Sequence, residues 1–181
     1  MNGYGHEREI SLPLEARPVQ AVALIIRNSQ GLIYTNEEKE TKPEVGKFAG
    51  MRSFPMETIE AGESREQTLR RLQNEEVAHN LMTAPPDLLG VYGIGTAALW
   101  CYETSVISQN GRNPDYKIAE VGEPGWIPID DLKNGNVWVR EGVVEMATDY
   151  SSGIKGARRE SCQPAIPALQ GLNGKTNYRP G

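Results

Sequence analysis

Cysteine is scarce in this sequence, and so are positive charge and long apolar runs. The two cysteines, Cys101 and Cys162, stand far apart with neither CxxC nor histidine-paired spacing, so a structural zinc site has no ligand framework. Cys101 lies in the run ALWCYETSV and reads as a buried, inert thiol. Lysine and arginine together number 19 against 24 acids, a net charge of -5. That balance argues against gripping nucleic acid or an anionic membrane by charge alone, and a phosphorylated ligand is expected to need a cation as mediator. No apolar run approaches the roughly 18 residues of a membrane span. The opening MNGYGHEREI has no apolar middle of the kind a secretory leader carries. The expected location is the cytoplasm.

What is present is enough for one domain: 181 residues bury a proper core but do not make two ordinary domains. The organisation expected is an N-terminal arm over residues 1–18, a domain over 19–151, and a Gly/Pro-rich tail over 152–181 with little periodicity of its own. In the arm, REISLPL offers an edge strand before Pro13 interrupts it. VQAVALIIR, residues 19–27, is almost continuously apolar and predicts a strand buried on both faces. NSQG turns the chain and LIYT returns it as a hairpin. NEEKETKPEVGK is a solvated loop, residues 51–54 are strand-like, and Pro55 ends them.

Residues 57–63 read as a loop. Ser64 with Gln67 three positions later forms a capping box that predicts a helix over 65–78, with Leu69, Leu72 and Val77 as a narrow apolar stripe. Beyond Pro85 and Pro86, DLLGVYGIGTAALWCYETSVIS reads as two strands or one bent strand. Its GIGTAA is half of a dinucleotide-binding fingerprint, but strand chemistry follows where a helix must open, so the glycines mark a bend. QNGRNPDYK is a loop, WIPI a short strand, and residues 137–150 carry apolar positions at helical spacing. This order gives an α/β (α+β) sandwich, a mixed β-sheet between helices.

The stretch METIEAGESREQTLRRLQNEEV, residues 56–77, carries the chemistry. It resembles the Nudix box, which reads G, five residues, E, seven residues, R-E-U-x-E-E-x-G-U, with U a bulky aliphatic. Glu63 takes the first glutamate, Arg71 the arginine, and Glu75 and Glu76 the final pair, so four of the nine defined positions hold. Glu57 stands where the glycine belongs, Leu72 where the next glutamate belongs, Gln73 at the aliphatic position, and Ala78 and His79 at the closing pair. SFP before the loop, the run from Glu60 to Ser64, and WIPIDDL also resemble the family's context. The resemblance spans residues 19–150 and implies a Nudix-like α/β/α sandwich.

It further implies a hydrolase that cleaves a pyrophosphate bond in a nucleoside diphosphate derivative with Mg²⁺ or Mn²⁺, hard cations that take oxygen ligands and retain waters. Glu63, Glu75 and Glu76 are the implied metal ligands and Glu76 a catalytic group. Glu57 or Glu120 would replace the acid missing at Leu72. Arg71 is expected to be structural, paired with Glu60 or Glu63, and Arg52 either reaches a phosphate or pairs on the surface. Glu57 is expected to carry roughly 1 kcal/mol of strain if its backbone must be left-handed.

The other reading is a catalytically inactive Nudix-fold module that binds a nucleotide or a protein. Paired acids at a helix end are usually only solvated surface, and the helix dipole disfavours them there. Leu72→Glu is expected to restore turnover if the site has merely lost its acid. His79 reads as a ligand, a base or a helix-end cap. Trp100, Trp126 and Tyr102 either stack on a base or pack the core. Substrate choice is expected in residues 37–47 and 109–117, and the tail offers a homodimer contact.

Overall fold

The computed structural model describes residues 13–43 and 47–161, the side chain of Glu120 excepted. The architecture is organised around β1 (Val19–Arg27), whose alternate side chains enter two different cores. Ala23 and Ile25 face one layer with Phe54, Leu132, Val143 and Met146. Val22, Leu24 and Ile26 face the other with Tyr34, Leu69, Leu72 and Val77. All five of these β1 side chains are fully buried, which is why the strand shows no polar alternation.

The central sheet runs β3 (Arg52–Ser53), β2 (Ile33–Glu37), β1, β7 (Ala97–Arg112), β6 (Asp87–Ile94), β9 (Ala157–Glu160). β1 pairs parallel with β7 and β6 parallel with β9, while β1 with β2 and β6 with β7 are antiparallel. Three further strands join it: β4 (Met56–Thr58) on β1, β5 (His79–Thr83) on the outer half of β7, and β8 (Pro124–Ile127) on β2. Helix α1 (Arg65–Glu76) covers one face. α3 (Ile129–Lys133) and α4 (Val143–Ser151) cover the other, and a short α2 (Ile118–Val121) lies beyond β7. The result is the mixed sheet between helices that the order of elements predicts. GIGTAA is the hairpin between β6 and β7, with Gly95 at φ 53° in its turn.

Several boundaries differ from the sequence reading. The stretch after Pro55 is not all loop, because residues 56–58 add β4 to β1. The QNGRNPDYK loop begins late, since β7 continues to Arg112 by pairing with β5. The second helix starts at Val143 rather than near 137. Arg52 donates its N–H to the Trp138 carbonyl and accepts from the Arg140 N–H, holding residues 138–140 extended. Gly142 then turns into the helix at φ 84°, where a Cβ would lie 2.5 Å from Ile94 Cδ1. The proposed edge strand before Pro13 lies outside the described residues, as do residues 162–181.

β9 falls within the segment read as tail, and ionic contacts fasten it. Arg17 pairs with Glu160, Arg158 with Glu15, and Arg159 with Asp149 at 2.7 Å. Asp149 is wholly buried on α4 and also accepts a hydrogen bond from the Tyr92 hydroxyl on β6 at 3.0 Å. Removing that donor leaves a buried carboxylate oxygen unsatisfied. Tyr92→Phe is expected to lower the unfolding free energy by roughly 1–3 kcal/mol in urea denaturation; a change below the scatter of replicate melts would contradict the role given to this bond.

Candidate functional site

Ser64 accepts from the Gln67 N–H while the Gln67 side chain accepts from the Ser64 N–H, so the predicted capping box fixes where α1 begins. Its C-terminal end is fixed by side chains from elsewhere. Asn36 on β2 donates to the Glu76 carbonyl at 2.9 Å, and Asn113 donates to the carbonyls of Asn74 and Val77 at 2.8 Å each. The Lys117 N–H takes the Glu75 carbonyl, and the Ala78 N–H donates to the buried Tyr34 hydroxyl. These partners satisfy helix-end carbonyls that lack intrahelical donors. They stop the helix at Glu76, two residues before the predicted end.

Between this helix end and the loop after β2 lies a cavity of about 420 Å³. Five carboxylates line it, Glu38, Glu40, Glu57, Glu75 and Glu76, with four cations, Lys42, Lys47, Lys117 and Arg140. Glu75 pairs with Lys117 at 2.8 Å and Glu40 with Lys42 at 2.8 Å. Glu76 accepts the Met56 N–H at 2.8 Å, joining α1 to β4. Burial outweighs that bond and pushes the Glu76 carboxyl up to about 8, with the nearby charges of Glu57 and Glu38 adding to the rise.

The sequence-predicted residues divide into two groups. Glu57, Glu75 and Glu76 meet at this cavity. Glu63 does not: Arg71 grips it with Nε at 3.1 Å and Nη2 at 2.9 Å, and holds its carboxyl well down, at about 2. Arg71 also pairs with Glu57 at 3.1 Å and with Glu60 at 3.8 Å. It is the predicted clasp between loop and helix, with Glu57 as an unanticipated third member. The strain expected at Glu57 does not arise, since among the described residues every positive φ belongs to glycine and Glu57 sits in β4.

Arg52 pairs with Glu37 at 3.2 Å and donates to the Glu123 carbonyl, the surface-pairing outcome, and does not line the cavity. Glu120 lies in α2 between Lys117 and Val121, two residues of the cavity wall; its side chain is outside the described residues. His79 opens β5 and lines a separate cavity rather than capping α1. The aromatics pack: Trp126 meets Tyr34 edge-on, Trp100 donates to Gln20 beneath Arg65, and Tyr102 lies against the α1-side core.

Glu38, Lys47 and Lys117 fall in the segments 37–47 and 109–117 expected to govern substrate choice, although none was singled out by residue, and Arg140 was not anticipated at all. One signal was there: Tyr34 and Asn36 stand two apart on a strand, so both side chains fall on the face that α1 covers. The cations come from loops with no periodicity to place them. A second cavity, of about 290 Å³, shares Met56, Glu57 and Arg140 with the first and adds an apolar wall of Val19, Ala21, Ile94 and Leu99.

Leu72 is fully buried among Leu24, Tyr34 and Leu69. It is a core residue, so an acid placed there meets hydrocarbon before it meets a cation, and Leu72→Glu is not a simple restoration. That substitution is expected to destabilise the fold by on the order of 3–5 kcal/mol in chemical denaturation; a loss under about 1 kcal/mol would mean the side chain escapes to the cavity.

Among the described residues no three histidine, cysteine or acidic side chains converge as a metal cluster. Arg71 and Lys117 occupy Glu63, Glu57 and Glu75 instead. Of the final glutamate pair only Glu76 is not shown in an ion pair, so Glu75 and Glu76 together fit a single hard cation that keeps several waters only where Lys117 gives way. For Glu76, the carboxyl rises from 4.5 to about 8 on folding. Folded protein therefore holds a proton that the unfolded chain releases, and stability is lost as pH rises from about 4.5 through 8. Glu76→Gln is expected to raise Tm over wild type at pH 9 and to leave it nearly unchanged at pH 4; an equal shift at both would disprove the titration.

No protein-family model and no curated protein matches the sequence. Solved structures do. A Nudix hydrolase from Nitrosomonas europaea superposes with a TM-score of 0.61 at 21% identity, over 77% of this chain and 93% of its own. A UDP-X diphosphatase gives 0.55 at 14% identity, over 85% and 71%. An ADP-ribose pyrophosphatase from Streptococcus suis gives 0.53 at 12% identity, over 80% and 99%. At these identities the likeness is one of fold.

Proposed function

From the premise that this chain has a Nudix-superfamily fold, we propose that it binds a nucleoside diphosphate derivative in the cavity at the end of α1 and hydrolyses the pyrophosphate bond at a low rate with Mg²⁺ or Mn²⁺. The observation that carries this reading is the meeting of Glu57, Glu75 and Glu76 at one cavity also lined by four cations. Glu75 and Glu76 would hold the cation, which when bound would supply positive charge to offset that of the diphosphate and to acidify water. Lys117 must leave Glu75 for that, and the proton must leave Glu76. Both requirements weaken the affinity.

Of the three other carboxylates at the cavity, Glu38, Glu40 and Glu57, only Glu57 also borders the second cavity, and it is the first choice for a general base, with Glu120 as the alternative from α2. Arg71 positions Glu57 through its 3.1 Å ion pair. The apolar second cavity suits the part of the ligand beyond the diphosphate, because Arg140 and Glu57 border both spaces. The proposed setting is the cytoplasm, and no helix of the described residues is long and apolar enough to cross a membrane.

A second reading is a nucleotide-binding or protein-interaction module without chemistry. The side-chain cations seated on the acids, and the alkyl group of Leu72 in the core, favour it.

The two separate in one experiment: single-turnover hydrolysis of nucleoside diphosphate sugars and dinucleoside polyphosphates, with a Mn²⁺ titration alongside. The hydrolase reading expects cleavage that falls at least tenfold in Glu76→Gln and in Glu57→Gln. It also expects Mn²⁺ affinity to drop about tenfold for each pH unit below 8, as a proton competes for Glu76. Ligand binding with no cleavage at any pH would establish the second reading.

A further inference from the structure

Glu38 is a buried carboxylate, 6% exposed, at the cavity wall opposite the end of α1. Two cations converge on it: Lys47 Nζ stands 2.7 Å from one oxygen, and Arg140 Nη1 stands 3.6 Å from the other. The Ser53 hydroxyl donates to that second oxygen at 2.8 Å. The three partners come from the loop after β2, from β3 and from the extended segment before α4, so the carboxylate joins pieces distant in sequence.

We propose that Lys47 and Arg140, held in place by Glu38, form a subsite for a phosphate group that binds it without a divalent cation. This rests on the reading that the cavity takes a phosphorylated ligand, and it alters what the net charge of the chain implies. An acidic protein repels polyanions at a distance, but two fixed cations on one wall act at contact, where screening by salt is weakest. With Glu38 the two cations leave one net positive charge, which a phosphate oxygen can take, with the guanidinium supplying directed hydrogen bonds and the ammonium a point charge. Glu38 is a positioning residue: it restrains two long side chains whose ordering a ligand must otherwise bring about.

Calorimetric titration of the full chain with inorganic pyrophosphate, in EDTA and again in Mg²⁺, tests this. Expected are saturable binding in EDTA that weakens with salt, a loss of about tenfold or more in Lys47→Gln and in Arg140→Gln, and no change in Lys133→Gln, a charge on α3 away from the cavity. Glu38→Gln discriminates most. Removing a negative charge by itself tightens anion binding, whereas loss of positioning weakens it, and weakening is expected. Circular dichroism melts establish that each variant is folded, and Lys47→Gln decides if Glu38→Gln does not fold. Malonate binding as tight as pyrophosphate would overturn the phosphate assignment. Binding only in Mg²⁺ would overturn the subsite while leaving the metal-dependent reading of the cavity intact. Binding in EDTA with no turnover in any metal would do the reverse.

Discussion

The carbonyls at the end of α1 need donors, and the way they find them decides where the acids of the cavity stand. A helix end buried without partners is unfavourable, and here Asn36, Asn113 and the Lys117 N–H supply them. Asn36 belongs to β2, and its own amide oxygen lies 3.3 Å from the Tyr116 hydroxyl, whose single proton goes to the Gly122 carbonyl at 2.6 Å. The network thus spans the inner sheet, the helix and the loop carrying α2. Glu75 and Glu76 are set by main-chain bonds from three directions before any ligand arrives.

Such fixation answers the objection that acids fit poorly at the C-terminal end of a helix. The unfavourable dipole acts through unsatisfied carbonyls, and three of them already accept from amide groups. What remains is the cost of the Glu76 carboxylate in partial burial, which the protein meets by holding a proton rather than by hydration. Lys117 does the corresponding service for Glu75. The cavity is therefore neutralised from within by protons and side chains, and any divalent ion competes with both.

The sheet and its two covering layers were legible because their signals are local and periodic. VQAVALIIR announces a doubly buried strand, and Ser64 with Gln67 announces the start of α1. The start of α4 was not legible: residues 137–142 have helical spacing, but Arg52 captures them in a bridge that no local pattern encodes. In the same way β5 is polar and irregular and is a strand only because the long β7 offers it a partner. For the site, the register of Glu75, Glu76 and Arg71 came from the resemblance to the Nudix box, since paired acids at a helix end by themselves read as solvated surface. The capture of Glu63 by Arg71 was half readable, and the cations of the opposite wall were not, since loop residues are placed by tertiary contacts. Leu72 shows the limit most sharply: spacing marks it as a missing acid, and packing makes it an indispensable alkyl group.

Every residue of β1 pairs with a partner in β7 that lies 78 positions further along the chain. The strand that divides the two cores thus emerges from the ribosome long before the strand that seals its edge. Contacts of such separation carry a large loop-closure entropy and slow the approach to the folded state. During that interval a run of nine mostly apolar residues has the hairpin with β2, the short β4 and one covering helix, α1, to shelter it, and its other face waits for α3 and α4. The same doubly buried strand that makes the finished sandwich secure is therefore the segment most exposed to misassociation while the chain is being made.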